Sequence, residues 1–149
     1  MVADTTKLAY TAGLLDGEGT IYLRIVDGGT LVLRLTIVNT NELLMQWLQL
    51  NFGGNVTRSR SDKNPKHKDL WAWGFSGNAA VDFLKSILPY LVIKKAQAQL
   101  GVEAWDNRQP TPRGERLKPV SAEVLAERAG FVELMHGLNR KGPVPACQS

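Results

Sequence analysis

Two carboxylates, each followed by a glycine, stand where a predicted helix meets a predicted strand. Residues 11–23 read TAGLLDGEGTIYL, which places Asp16 and Glu18 at the carboxyl end of the helix. That end of a helix carries a partial negative charge, so acidic side chains there are destabilising unless a cation offsets them. Carboxylates are the oxygen ligands that hard divalent cations prefer. The pattern therefore indicates either cation-dependent chemistry or a simple helix-to-strand turn.

A second chemically distinctive stretch is strongly basic. Residues 58–69 read RSRSDKNPKHKD within a chain of net charge +4. Its basic side chains are Arg58, Arg60, Lys63, Lys66 and Lys68. A cluster of this kind suits the phosphates of a nucleic acid, although a solvated loop has the same composition.

Length and composition favour one globular domain. The 149 residues are 44% hydrophobic and 21% charged, and no apolar run is long enough to span a bilayer. The N-terminus lacks a signal-peptide pattern, and the single cysteine, Cys147, excludes an intrachain disulfide, so we expect a soluble intracellular protein. No Cys/His cluster has zinc-site spacing. We predict one domain over residues 1–142 and a flexible tail over residues 143–149.

The elements that would position these residues begin with a helix over residues 5–17. Asp4, Thr5 or Thr6 would cap it, and Gly17 and Gly19 would end it. Residues 20–26 and 31–38 then alternate between apolar and polar side chains around Asp-Gly-Gly at 27–29, which predicts a β-hairpin.

The rest of the chain repeats this order. A helix over 42–52, capped by Asn39 or Asn41, precedes a second hairpin (55–60 and 69–75) and helices over 79–88, 93–107 and about 121–142. The fold class is therefore α+β, αββαββα with extra C-terminal helices. We expect an antiparallel sheet with its helices on one face and a polar, uncovered opposite face.

Residues 11–19, TAGLLDGEG, resemble the signature of the LAGLIDADG homing endonucleases. The similarity continues in PYLVIKKAQAQ (89–99) and LNRKG (138–142) and covers roughly residues 7–142. It implies a saddle-shaped sheet and a site-specific double-stranded DNA endonuclease, often intron-encoded. Such an enzyme uses Mg²⁺, for which Mn²⁺ can substitute, and leaves 3′ overhangs. The same fold also serves intron RNA maturases and catalytically silent DNA-binding regulators, and both functions stay open for this chain.

Only one copy of the motif is present, and single-motif members of this family act as homodimers. The resemblance therefore implies a twofold dimer on a long pseudo-palindromic target. The motif helix, from Leu8 to Leu15, would form the subunit contact, because small residues let two helices approach closely. The interface residues expected on this basis are Ala9, Ala12, Gly13 and Asp16.

Catalysis in the family is carried by the last acidic position of the motif, which is Glu18 here. The resemblance implies that Glu18 is a metal ligand, with the carbonyl of Gly17 as a second one. Asp16 would support the turn and the interface. Metal ions would generate the attacking hydroxide and stabilise the leaving 3′ oxygen. The simpler interpretation is that both carboxylates only build the turn.

Two further residues complete the implied catalytic set. Lys94 matches a lysine that the family holds near the scissile phosphate, although Lys95 could fill that role and Lys94 could simply face solvent. Asn39 lies where relatives place a polar residue that orders water, and it could instead be a helix N-cap.

DNA contacts are expected from the uncovered face of the sheet and from the basic loop. If Val56 faces the core, alternation places Thr57 and Ser59 on the DNA side and Arg58 and Arg60 on the other, unless a bulge resets the register. Trp71, Trp73 and Phe75 are expected in the core, although they could instead be stacking platforms. The predicted DNA-binding residues are Tyr22, Arg24, Val32, Arg34, Thr36, Thr57, Ser59, Lys63, Lys66 and Lys68.

Overall fold

The computed structural model describes residues 4–59, 66, 68–108 and 120–140. It confirms the predicted α+β class and order of elements. The helices are α1 (Thr5–Glu18), α2 (Glu42–Phe52), α3 (Gly77–Ile87), α4 (Lys95–Asn107) and α5 (Ala122–Asn139), and the strands are β1 (Gly19–Val26), β2 (Thr30–Asn39), β3 (Asn55–Ser59) and β4 (Leu70–Ser76). The tail predicted over residues 143–149 lies outside the described residues.

The four strands form one antiparallel sheet in the order β1-β2-β4-β3. Alternate residues of β1 and β2 face the helices and are buried, as the sequence pattern predicts. The fully buried ones are Ile21, Leu23, Leu33, Leu35 and Ile37. Trp73 of β4 joins them in the core, with Trp71 and Phe75 packed against it, so the three aromatic residues pack as expected. The opposite face, called the open face below, carries the other half of each strand.

The first helix ends later than the glycine pattern suggested. The carboxylate of Asp4 caps α1 by accepting the N–H of Thr6 at 2.9 Å. The helix continues through Gly17 and ends at Glu18, so Gly17 does not terminate it. Gly19 does, because a Cβ there would lie 2.8 Å from the Cα of Leu15. Only glycine lets the chain pass from α1 straight into β1.

Glycines at positive φ form the turn after β1, and one side-chain hydrogen bond caps α2. Asp27–Gly29 forms a 3-10 turn between β1 and β2 with Gly28 and Gly29 at positive φ, which confirms the first hairpin. Asn41 caps α2 by accepting the N–H of Leu44, so Asn39 is not the cap. No helix in the described part of the chain is long and apolar enough to cross a membrane.

Candidate active site

The carboxylate of Asp16 is bound by the loop before α4. The N–H groups of Val92, Ile93 and Lys94 donate to its two oxygens at 2.9, 3.1 and 2.8 Å. The Lys94 ammonium also donates to the main-chain carbonyl of Asp16 at 2.6 Å. These donors offset the negative charge at the end of α1 and tie that end to the start of α4. Asp16 therefore holds together the turn after α1 within its own chain.

Hydrogen bonding sets the protonation state of Asp16. Partial burial raises the pKa of this carboxyl, but the three main-chain N–H groups and the nearby Lys94 ammonium outweigh it. The pKa of Asp16 therefore lies below its ordinary value of 3.8. The side chain is ionised at neutral pH.

Glu18, two residues further on, is placed differently. Its side chain is exposed at the last position of α1, and the amide Nδ2 of Asn39 donates to its Oε2 at 2.6 Å. Asn39 Oδ1 in turn accepts the N–H of Asn41 at 2.8 Å, which fixes the orientation of the amide. No hydrogen bond from the described residues reaches the second oxygen, Oε1. Glu18 therefore has one oriented partner and one open oxygen.

Glu18, Asn39 and Lys94 lie in the wall of one pocket of about 630 Å³. This brings together the three residues that the sequence analysis selected as catalytic, with Gly17 beside them. Lys95 is exposed and does not line the pocket. The pocket opens at one end of the sheet, where β1 and β4 begin and β2 ends. Its remaining lining residues are Gly19, Thr20, Val38, Thr40, Leu70, Ile93, Gln97, Leu138 and Asn139.

Two amide side chains in this wall were not selected from the sequence. Gln97 is one helical turn after Lys94 and is 8% exposed, and its Nε2 donates to the carbonyl of Leu138 at 3.3 Å. Asn139 Nδ2 donates to the carbonyl of Ile21 at 2.8 Å. Together they attach the end of α5 to α4 and β1, and so build the far wall of the pocket. Both residues lie inside the two stretches (89–99 and 138–142) that resemble the family, and this resemblance could have indicated them as site residues.

The donor set around Glu18 fits a cation shared with other ligands. No cluster of three or more His, Cys, Asp or Glu that could hold a metal ion exists among the described residues. One chain offers a single outward carboxylate with the neighbouring carbonyl of Gly17. Mg²⁺ commonly binds through one or two carboxylates, keeping water and substrate phosphates as its other ligands. The residues present therefore fit Mg²⁺ bound together with a phosphate-containing substrate.

The open face carries the predicted DNA-binding residues of the first hairpin. The β1–β2 register pairs Tyr22 with Arg34, Arg24 with Val32, and Thr20 with Thr36 on this side. All of these side chains are at least partly exposed. The result is a row of cationic, hydroxyl and aromatic side chains that starts at the pocket and runs to the hairpin turn.

The second hairpin follows the predicted alternation. Val56 pairs with Trp73 and faces the helices, so Thr57 and Ser59 lie on the open face. Arg58 is on the opposite side, where it forms an ion pair with Asp69 and stacks 5.4 Å over the ring of Trp71. Lys66 and Lys68 are exposed. Lys63 and Arg60 lie outside the described residues.

Of the small residues predicted for the dimer interface, one does not lie on the outward face of α1. Ala9 and Gly13 are exposed, and a Cβ at Gly13 or Gly17 would meet no atom within 4 Å. Ala12 is fully buried, because it shares the inward face with Leu8 and Leu15. Ala12 therefore cannot touch a second copy of the chain, and Asp16 uses its carboxylate within its own chain.

The fold defined by this sheet and helix arrangement is that of the LAGLIDADG homing endonucleases. The chain is similar to the homing endonuclease I-CvuI in complex with its target in the presence of calcium, with TM-score 0.70 and 24% identity over 96% of this chain and 89% of that chain. It is also similar to the archaeal intron-encoded homing endonuclease I-Vdi141I complexed with DNA, with TM-score 0.69 and 18% identity over 95% and 89%.

A third similar structure is longer. I-SmaMI, bound to an uncleaved DNA target with calcium ions, matches with TM-score 0.54 and 18% identity over 95% of this chain but 47% of that chain. No protein-family model matches the sequence, and no curated protein sequence matches it significantly. These likenesses establish the fold, and the activity depends on what the site can do.

Proposed function

We propose that this protein is a site-specific, metal-dependent DNA endonuclease that acts as a homodimer. The observation that carries the proposal is Glu18. Its carboxylate is oriented by Asn39, shares a pocket with Lys94, and lies at the edge of a sheet face lined with cations and hydroxyls. That combination provides a metal ligand, a cation near a phosphate and a surface for duplex DNA in one place.

The open face supports duplex DNA as the substrate. Arg24 and Arg34 lie on it beside Tyr22 and Thr36, and arginine reads guanine edges in the major groove. A two-stranded antiparallel ribbon fits the width of that groove. Lys66 and Lys68 at the rim would bind backbone phosphates and fix the register of the complex. The three similar solved structures are bound to DNA.

Glu18 and the carbonyl of Gly17 would hold Mg²⁺, or Mn²⁺ in its place, with a DNA phosphate completing the coordination. The bound cation would activate water and stabilise the leaving 3′ oxygen. Asn39 keeps Oε2 of Glu18 in position, which leaves Oε1 for the metal. Lys94 would counter the charge that develops on the phosphate in the transition state.

A second copy of the chain would pack on the outward face of α1. A Cβ at Gly13 or Gly17 would meet no atom of its own chain, and without side chains these positions would let another helix approach closely. The matched part of I-SmaMI is about half of its length, as expected if two copies of this chain do the work of one longer chain. Twofold symmetry would bring two Glu18 side chains to the two strands of a pseudo-palindromic site and give 3′ overhangs.

The test is a cleavage selection from randomised, near-palindromic duplexes with Mg²⁺ or Mn²⁺, followed by sequencing of the ends. The wild type should cut one pseudo-symmetric site with 3′ overhangs. Glu18→Gln should bind that site but cut it about 10³-fold more slowly. Glu133→Gln, an exposed acid on α5 away from the pocket, is the matched control and should cut normally.

Each other outcome contradicts a defined part of the proposal. Binding of one sequence without cutting by either protein would favour a DNA-binding regulator or an RNA maturase with this fold. Equal cutting by the wild type and Glu18→Gln would remove Glu18 from the reaction. A monomer in the DNA complex, measured by sedimentation, would contradict the homodimer.

A further inference from the structure

At the end that borders the active-site pocket, the open face carries three neighbouring apolar side chains among its threonines and serine. Val38 is 39% exposed and pairs across the sheet with Ala72, and Leu70 is 46% exposed. The strand alternation places all three on the open face, in phase with Thr36 and Thr57. Val38 and Leu70 line the pocket that contains Glu18. We call these three residues, Val38, Leu70 and Ala72, the inner apolar patch.

The patch differs from the rest of the open face. Toward the hairpin turn, β1 and β2 present Tyr22, Arg24 and Arg34, with Val32 as the one apolar side chain among them. Val38 and Leu70 do not support the core, since each projects away from the helices and retains much of its exposure. Their position next to the pocket suggests that they contact the substrate.

We propose that the inner apolar patch determines base specificity by packing on thymine methyl groups next to the cleaved bonds. This inference rests on the proposed DNA endonuclease function. The thymine C5-methyl is the apolar group that the major-groove edges of the four base pairs display. Valine, leucine and alanine cannot hydrogen-bond to a guanine or cytosine edge, so burying them there would leave those polar groups unsatisfied. An A·T pair whose thymine methyl points toward the patch would bury apolar groups against each other.

The distance between Val38 and Arg34 along β2 predicts how far apart their base contacts lie in each half-site. Val38 and Arg34 lie four residues apart on the same face, which is about 13 Å at strand rise. That distance corresponds to about four base pairs of duplex. We therefore expect thymines at the inner positions of each half-site and guanines about four base pairs further out.

The experiment uses the full-length protein and the duplex that it selects. Thymine at each inner position is replaced by deoxyuridine, which deletes only the methyl group, and the Kd is measured with Ca²⁺ as the cation. One methyl should be worth about fourfold in Kd, and the loss from both half-sites together should be about fifteenfold. Replacing an outer thymine beyond Arg34 with deoxyuridine is the control and should change little.

The protein side of the test is Val38→Ala. This variant keeps the fold, because Val38 is outside the core, and a thermal melt verifies it. It should bind thymine and deoxyuridine duplexes almost equally, so the ratio of the two Kd values falls toward one. Leu50→Ala, which shortens an exposed apolar side chain on α2 away from the open face, should keep the wild-type ratio.

Two results would overturn the inference while leaving the endonuclease proposal in place. One is a selected site with G·C pairs at every inner position. The other is a Kd that does not respond to deletion of any inner methyl, with specific cleavage still observed. Failure to select any duplex would overturn both, because the inference requires a DNA substrate.

Discussion

Asp16 and Glu18 are two residues apart on the same helix, yet they occupy opposite kinds of environment. The carboxylate of Asp16 accepts three main-chain N–H groups from residues 92–94, and its oxygens face its own chain. Glu18 has one hydrogen-bond partner among the described residues, Asn39, and faces an open pocket. The first carboxylate stabilises the fold, and the second is available to a ligand.

The contrast shows how one short acidic motif can serve both needs. The N–H groups around Asp16 and the Lys94 ammonium neutralise the end of α1, which lets a second carboxylate remain there without a full set of protein donors. A carboxylate left in this state is a candidate functional group, because folding alone does not require it. Substitutions should therefore affect the two carboxylates separately.

After Glu18 itself, the largest expected effect comes from its hydrogen-bond partner, Asn39. Asn39→Ala removes the amide that orients the carboxylate, and loss of a group that orients a metal ligand typically costs about 10- to 100-fold in metal affinity or rate. We expect the Mg²⁺ concentration for half-maximal cleavage to rise, with DNA binding retained. The measurement is a single-turnover cleavage series in Mg²⁺.

Asn41→Ala is the matched control for that variant. It removes the cap of α2, costing about 1 kcal/mol of stability, but leaves the Asn39 amide in contact with Glu18. Its Mg²⁺ midpoint should equal that of the wild type. An equal shift in both variants would show that α2 stability, and not the orientation of Glu18, controls metal binding.

Asp16→Asn should have the opposite effect to Asn39→Ala, lowering stability rather than metal binding. The neutral amide keeps one acceptor oxygen but loses the charge that strengthens the three N–H contacts. Because Asp16 is only partly buried, the expected loss of unfolding free energy is about 1–2 kcal/mol. Urea denaturation measures it. Glu18→Gln should leave the urea midpoint nearly unchanged, and an equal loss in both variants would remove the distinction between the two carboxylates.

Gln97 extends the comparison to the far wall of the pocket. Gln97→Leu removes the hydrogen bond to Leu138 while filling most of the same volume. Loss of about one hydrogen bond should slow single-turnover cleavage about fivefold, with the DNA Kd unchanged. We assign Gln97 as a positioning residue, so Gln97→Leu should lower the cleavage rate without lowering the urea midpoint, whereas a purely structural role would lower the urea midpoint. Loss of binding in place of rate would contradict this assignment.

The sequence predicted the fold class, the element order and the alternation of both hairpins, because these depend on local periodicity. It did not distinguish the faces of α1, where alanine and glycine fit a core and an interface equally well. Ala12 was misplaced for that reason. The donors to Asp16 lie 76 to 78 residues away in the chain, and no local pattern specifies such a contact.

The smallest expected effect is the pH dependence of stability that Asp16 contributes. Its folded-state pKa is lower than in the unfolded chain, so its contribution to stability is complete above the ordinary pKa of 3.8 and is lost as the pH falls through the folded-state pKa. The gap in unfolding free energy between the wild type and Asp16→Asn should therefore stay constant from pH 7 to pH 5 and narrow below about pH 4. A series of urea midpoints measures it. A gap that widens on acidification would mean that burial of Asp16 outweighs its three N–H donors.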